Sequence, residues 1–421
     1  MKLQLLVSSG LLALASAASI QAPAPRKSYS GYKVFRVDVG SNADRLNAVV
    51  DKLGLSTWKG RPRPNTQADI VVPPNVLEAF EAEVAGLNKV TMHEDLGLSI
   101  EDETTFGVYA AGSANATWFN SYHAYADHLQ FLKDLQASYP TRSAIVTSGN
   151  SNGGRAITGI HFWGSSGKGK PAVVFHGNVH AREWITSMVV EYFAYYMLTN
   201  SETAEVKSFL DKYDFIFFPI VNPDGFVYTQ TNDRLWRKNR QTNSGSSCIG
   251  RDINRNWPYQ WSVSGGASTN ACAEDYKGKA QSDAPETTAL ANFLQTTKRN
   301  QGVKLFIDWH SYSQLFMTPY GYSCTAVAPK DSELQSLARG VASAIRSVFG
   351  TSFKTGPICN TIYKATGNSV DYANDVVGSE YTFTAELRDT GRYGFVLPAN
   401  QILPSGQEAW AGVAYLLKNM K

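Results

Sequence analysis

Between Tyr32 and Val39 apolar and polar residues alternate, the period of a strand with one buried face. Ala43 to Leu53 then reads as an amphipathic helix, and Ala68 to Val72 as a second strand closed by Pro73-Pro74. Asn75 to Ala85 predicts a second helix, with Leu77, Phe80 and Val84 on one side, and Lys89 to His93 a third strand. An acidic stretch, Glu94 to Glu103, reads as helical. Strand-helix-strand followed by helix-strand predicts a small α+β open sandwich over residues 29–103, with both helices on one face. No catalytic constellation is visible in it.

After residues 104–117, which are small, polar and glycine-containing, the pattern changes. Ser143 to Gly149 and Ala156 to Trp163 flank Asn152-Gly153-Gly154 as a hairpin. Ala172 to His176, Phe215 to Val221, Lys304 to Trp309 and Thr382 to Leu387 are buried strands, the second ending at a turn, Asn222-Pro223-Asp224-Gly225. Trp184 to Leu198, Pro285 to Lys298, Ser332 to Phe349 and Glu408 to Met420 are helices. Strands alternating with helices predict an α/β unit over 118–421, a mixed sheet covered on both faces.

Composition narrows the class. With 421 residues, 43% hydrophobic and 18% charged, the chain can bury two cores and is not disordered. A net charge of +3 and no dense Lys/Arg stripe argue against a nucleic-acid partner. Lys2, the apolar run Leu3 to Leu14 and the small residues Ala15-Ser16-Ala17-Ala18 have the form of a secretory signal peptide over 1–18, and the run is too short for a membrane anchor. No later segment reads as a transmembrane helix. The expected location is therefore extracellular, with a vacuole the lesser alternative. In that compartment Cys248, Cys272, Cys324 and Cys359 form two disulfides; of the three possible pairings, the two short loops Cys248–Cys272 and Cys324–Cys359 are favoured. Asn115-Ala116-Thr117 is a glycosylation sequon at Asn115.

The chemistry lies beyond the carboxyl ends of the buried strands, where open α/β sheets place their sites. Ala172–His176 is followed by His180-Ala-Arg182-Glu183-Trp184; Lys304–Trp309 by His310; and Glu386 lies near the end of Thr382–Leu387. His180, Glu183 and His310 compose a catalytic zinc set with a place left for water. His176 is read as structural, and His93, His123, His128 and His161 lack carboxylate neighbours at ligand spacing in the sequence. Glu386 is the candidate proton acceptor, its bland alternative being an ion pair with Arg388 or Arg392. Asp252 could orient His180. Arg234, Arg237 and Arg255 sit in loop-like stretches, as carboxylate-binding arginines or as plain surface charge.

Together, the stretches around His180–Trp184, Arg234–Lys238, Asp252–Trp257, Asp308–Gln314 and Glu386–Gly394 resemble the pancreatic-type zinc metallocarboxypeptidases of the A-like subgroup, across nearly the whole second unit and in the family's order. The first unit resembles the family's activation domain. The resemblance implies a carboxypeptidase-like mixed eight-stranded sheet flanked by helices, an activation propeptide over 19–103, a linker with the activating cut at 104–117 and a catalytic domain over 118–421. It implies one zinc on His180, Glu183 and His310; Glu386 as general base; Arg237 at the oxyanion; Asn254 and Arg255 on the substrate's free carboxylate; Tyr363 as a closing lid; Arg182 further along the peptide; and Asp252 behind His180. Cys248–Cys272 matches a family disulfide, and the second bridge fits some members.

Selectivity should rest on Val370, with Ile358, Gly321 and Met317 beside it. A valine there implies apolar C-terminal residues, whereas an acid would select Lys or Arg; Asp371 is adjacent, and a shift of the correspondence by one residue would reverse the preference. The implied partners are peptide and protein C-termini and an activating protease, and the implied state is a monomer. No Lys or Arg lies between Val90 and Leu132, so a trypsin-like enzyme should be unable to cut the linker. The alternatives are a basic-residue carboxypeptidase, an inactive peptide-binding relative and a zinc amidohydrolase for a small N-acyl amino acid.

Overall fold

The computed structural model describes residues 26–112 and 114–421. The expected signal peptide, 1–18, lies outside the described residues.

Two sheets form. The first runs β2-β3-β1-β4, with β1 (Lys33–Asp38), β2 (Ser56–Thr57), β3 (Gln67–Val72) and β4 (Lys89–His93) pairing antiparallel. Helices α1 (Ala43–Leu53) and α2 (Leu77–Glu83) cover one face, where Phe35, Val37, Ile70 and Val72 meet Leu46, Val49, Phe80 and Val84. Alternation along the strands sends Val34, Arg36, Asp69 and Val71 to the other face. There Val34, Val71 and Trp58 are buried with Leu235, Tyr312 and Phe395 of the second unit. A third helix, α3 (Leu96–Glu103), starts two residues later than the acidic stretch suggests because Asp95 is its cap, accepting from the N–H groups of Gly97 and Leu98.

The second sheet has eight strands in the order β11-β10-β12-β9-β7-β8-β6-β5. They are β5 (Ser143–Asn150), β6 (Ala156–Phe162), β7 (Ala172–Gly177), β8 (Asp214–Phe218), β9 (Val303–His310), β10 (Leu315–Thr318), β11 (Lys354–Pro357) and β12 (Tyr381–Glu386). The central four, β12, β9, β7 and β8, are parallel, so their carboxyl ends share one edge. Helices α4 (Tyr125–Ser138), α5 (Trp184–Thr199), α9 (Asp331–Phe349) and α12 (Ile402–Asn419) bury one face with Phe175, Ile307 and Phe383. On the other face α8 (Pro285–Gln301) and the short α11 (Ser369–Tyr372) close over Val174, Ile216 and Phe306. The remaining helices are α6 (Ala204–Leu210), α7 (Pro223–Thr231) and α10 (Ile358–Thr361). The expected mixed sheet, covered on both sides and preceded by a small open sandwich, is what forms.

Several local expectations are corrected. Asn222-Pro223-Asp224-Gly225 is no free turn: Asn222 caps α7, its Oδ1 accepting from Gly225 N, and Pro223 fills the first helical position. The preceding strand accordingly stops at Phe218. The four-residue strands β10 and β11 are too short to carry a period of their own. The stretch 104–117 is more than a tether. Tyr109 donates to Asp134 at 2.6 Å, Gly112 N donates to the same carboxylate at 2.7 Å, and Phe106 lies against Trp184. Both short-loop disulfides form, Cys248–Cys272 and Cys324–Cys359.

Candidate metal centre and substrate cleft

Where β7 ends, Asn178 takes a left-handed conformation (φ 53°), which Asn tolerates better than most residues. Its amide donates to the carbonyls of Ala181 and Glu183, folding residues 178–183 into a tight arch. The arch turns His180 and Glu183 to the same side, just before α5 begins at Trp184. His310 arrives from the end of β9. The three side chains are buried and converge: His180 Nδ1 is 2.8 Å from Glu183 Oε1, His310 Nδ1 is 3.1 Å from Glu183 Oε2, and the two Nδ1 atoms are 3.1 Å apart. Donors about 2.0–2.1 Å from a tetrahedral zinc stand at about these separations, and two imidazoles with one carboxylate are a catalytic zinc set. The residues fit the ion. Among the described residues this is the one group of three potential ligands that converges.

Asp252 organises the far side. Its Oδ1 faces His180 Nε2 at 3.1 Å and accepts from Asn254 N, while its Oδ2 accepts from Arg237 at 2.8 and 3.2 Å. Burial works to raise the Asp252 pKa; Arg237, then His180 and Arg255, override it and hold the carboxyl well below the usual range. Arg237 is thereby fixed with Nη1 3.9 Å from Glu183. Its guanidinium is held charged despite burial, chiefly by Asp252.

Glu386 ends β12, directly opposite His310 in the parallel register. Arg388 is committed elsewhere, to Glu408 at 2.5 Å, and Arg392 lies over the Tyr393 ring, so among the described residues neither forms the alternative ion pair with Glu386. Burial, with the Glu183 charge second, pushes its pKa up to about 8. Such a carboxylate takes up a proton readily near neutral pH.

Beside this centre a small pocket is lined by Asn254, Arg255, Met317, Ile358, Tyr363, Val370 and Glu386, together with Ile362, Ala365, Asn368 and Thr384. Val370 contributes an apolar wall. Its neighbour Asp371 turns away and accepts from the N–H groups of Gly321 and Tyr322 and from Asn368, with burial pushing its pKa up to about 7. Gly321 does not line the pocket, contrary to expectation. It lies behind the wall, where a Cβ would stand 3.2 Å from Ile358 Cγ2 and 2.8 Å from the Ala365 carbonyl, so a side chain there would press the wall inward. Arg255 lies 5.7 Å from the Tyr363 ring.

The first unit closes the larger cleft, about 760 Å³, that opens from Glu183, Arg237 and Glu386. Arg36 pairs with Asp69 at 2.6 and 2.7 Å, and Tyr312 donates to the same Asp69 carboxylate. Trp58 packs edge-to-face on Tyr312 and at a tilt on Phe395, and its carbonyl accepts from Arg182 at 3.3 Å. Arg182 is buried, its two Nη groups donating to the Trp58 and Leu235 carbonyls and to Glu274. Arg63 stacks on the Tyr363 ring at 4.6 Å.

Histidines set aside in the sequence have structural places. His176 is buried without a bonded partner among the described residues, and its burial lowers the pKa to about 4. His128 and His161 do have a carboxylate each, Glu191 at 2.7 Å and Asp214 at 3.2 Å, brought by distant segments that the sequence could not align with them. Among the described residues neither gathers a third ligand.

A buried two-histidine, one-glutamate centre with a carboxylate and an arginine beside it, at the strand ends of this sheet, defines a metallopeptidase. Residues 128–412 match the zinc carboxypeptidase family and residues 36–103 the carboxypeptidase activation peptide, and the chain belongs to that family. It is a zinc-dependent hydrolase of the metallocarboxypeptidase A-like kind, with C-terminal exopeptidase activity. It is 53% identical over 417 residues to a metallocarboxypeptidase A-like protein of Trichophyton verrucosum, covering 97% of this chain and 98% of that one. With metallocarboxypeptidase A of Trichophyton rubrum it shares 52% over 394 residues, 93% of each chain. Among solved structures, thrombin-activatable fibrinolysis inhibitor superposes with a TM-score of 0.86 at 26% identity, over 92% of this chain and 98% of that one.

The sequence reading missed the cleft-covering residues Trp58, Arg63 and Asp69, and also Tyr312 and Thr384. Tyr312 had a signal, two residues beyond His310 in a matched stretch; the other four carry none that is visible without the sheet register.

Proposed function

We propose that this chain is a secreted proenzyme, with a signal peptide over 1–18, a propeptide over 19–103, an activating cut within 104–117 and a catalytic domain over 118–421. Its processed form, a monomer, removes aromatic and aliphatic residues one at a time from the C-termini of peptides. The observation that carries the preference is the pocket wall: Val370 faces the space beside Asn254 and Arg255, while Asp371 is turned into backbone N–H groups. Glu386, at the metal side of the pocket, is committed to the proton transfer; at the Val370 wall a substrate ammonium or guanidinium would find no carboxylate, and leaving it unpaired is costly.

Asn254 and Arg255 hold the free carboxylate, which is what confines hydrolysis to the last bond. The side chain of the last residue then enters the apolar pocket, and Tyr363 closes over it once Arg63 has left its ring. The peptide's preceding residues lie along Arg182, vacated by Trp58. Zinc, when bound to His180, Glu183 and His310, supplies Lewis acidity to the scissile carbonyl and lowers the pKa of a water to about 7. Arg237 donates toward the carbonyl oxygen as it gains charge, held in aim by Asp252. Glu386 takes the proton of the attacking water and passes it to the leaving amine. Asn115, in its sequon, is the proposed glycan site.

The test is a pair of blocked peptides ending in Phe and in Lys, offered to the processed enzyme with and without a zinc chelator. Chelator-sensitive release of Phe with little Lys is expected. Release mainly of Lys would overturn the pocket reading, and no release from zinc-loaded enzyme freed of its prosegment would overturn the catalytic one. Trypsin should leave 104–117 uncut; a mature N-terminus made directly by trypsin inside that window would remove the activation reading.

A further inference from the structure

Both histidines turn Nδ1 toward the metal position, and a neutral imidazole bound through Nδ1 carries its proton on Nε2. That proton needs an acceptor, which orients the ring and raises its basicity. For His180 the acceptor is Asp252.

For His310 two atoms compete. Asn254 Nδ2 is 3.3 Å from Nε2 and Asp308 Oδ2 is 3.2 Å from it. The Asn254 amide is fixed the wrong way round: its Oδ1 accepts from Ser369 N at 2.9 Å, so the group facing the imidazole is a donor. That leaves Asp308. It sits two residues before His310 on β9, on the same face of the strand, and is fully buried. Its carbonyl accepts from Thr384 Oγ1 at 2.9 Å, and its Oδ2 accepts from the Ser369 hydroxyl. No Lys or Arg pairs with it among the described residues, and its Oδ1 has no hydrogen-bond partner there. His176, its register partner on β7, forms no hydrogen bond with it. A buried carboxylate with so little structural bonding is costly unless something else uses it.

We propose that Asp308 is the positioning residue for the metal ligand His310, as Asp252 is for His180, and that Ser369 holds Asp308 in place. Ser369 adjoins Val370, so the strut behind one metal ligand and the wall of the selectivity pocket share one short helix, α11. The inference rests on the zinc assignment above and adds a second carboxylate–histidine pair to it.

The experiment uses the full-length proenzyme and follows zinc loss to a chromophoric chelator, beside the melting temperature of the zinc-free protein. The variants are Asp308→Asn, Ser369→Ala and, as a control, Asp214→Asn, a buried acid at the start of β8 that holds Gly169 and Gln301. Asp308→Asn should hold zinc roughly 10–100-fold more weakly than wild type. Ser369→Ala should weaken it less, and Asp214→Asn should lower the zinc-free melting temperature while leaving zinc affinity alone. Zinc affinity unchanged in Asp308→Asn, or weakened no more than in Asp214→Asn, overturns the proposal. If Asp308→Asn does not fold, Ser369→Ala decides: faster zinc release than wild type supports the proposal, and an unchanged rate overturns it. Wild-type protein that takes up no zinc would instead remove the metal assignment beneath it.

Discussion

Arg234 of the catalytic unit and Glu103 of the prosegment form a two-point ion pair, at 2.6 and 2.7 Å, with 0% and 1% side-chain exposure. Glu103 is the last residue of α3, so the pair fastens the prosegment at the point where the linker begins. Removing the carboxylate strands a buried guanidinium. Glu103→Ala should cost the docked form about 3–5 kcal/mol. Denaturant unfolding should show the N-terminal unit separating early, and uncut protein should gain activity on a blocked Phe peptide. Unchanged unfolding and unchanged silence would show that the pair is not the fastening.

Acid should loosen the same interface. His93 bridges the units, Nε2 against the Tyr393 carbonyl and Nδ1 against Ser99, and burial lowers its pKa from the ordinary 6.5, against the opposing pull of the carbonyl and Asp389. A depressed histidine pKa means that the released state binds the proton better. Docking is therefore at full strength above the released pKa and weakens as pH falls below it. Melting the proenzyme at about pH 5 and about pH 7.5 should show less stability at the lower value, and His93→Gln should flatten that difference. An equal pH dependence in the variant would clear His93 of the effect.

Glu386→Gln keeps the shape of the base and removes its proton affinity. The kcat of the processed enzyme should fall by roughly 10²–10⁴, with KM little changed and zinc still bound. A modest fall, below tenfold, would mean that another group accepts the proton.

Val370→Asp places a carboxylate in the pocket wall. The ratio of kcat/KM for a Phe-ending peptide to that for a Lys-ending one should move toward Lys by about 10–200-fold. A ratio left unmoved would mean that the side chain of the last residue goes elsewhere.

Much of the site was legible because its residues follow buried strands. His180, Glu183, His310 and Glu386 each come directly after or at the end of an apolar run, and strand ends are where such a sheet exposes function. Asp308 was not legible. Inside the run from Val303 to His310 it looks like one polar interruption, and only the register with Thr384 and the approach of Ser369 give it a task. Val370 and Asp371 illustrate the same limit: adjacent residues with opposite consequences, separated only by the short helix that turns one inward and the other toward Gly321. In the first unit the strands and α1 followed from alternation and amphipathicity, but Trp58 and Arg63 lie in the connection between α1 and β3, where no period says what they cover.

The parallel centre of the sheet sets an order of events for the newborn chain. His310 lies 130 residues beyond His180, and the two meet only when β7 and β9 have paired. Contacts so far apart form late, after long loops have closed. Of this ligand set, an unfinished chain therefore offers zinc only the neighbours His180 and Glu183, without the third ligand. The complete three-ligand site exists only once both halves of the sheet have joined, so zinc held there reports that the centre of the sheet has formed.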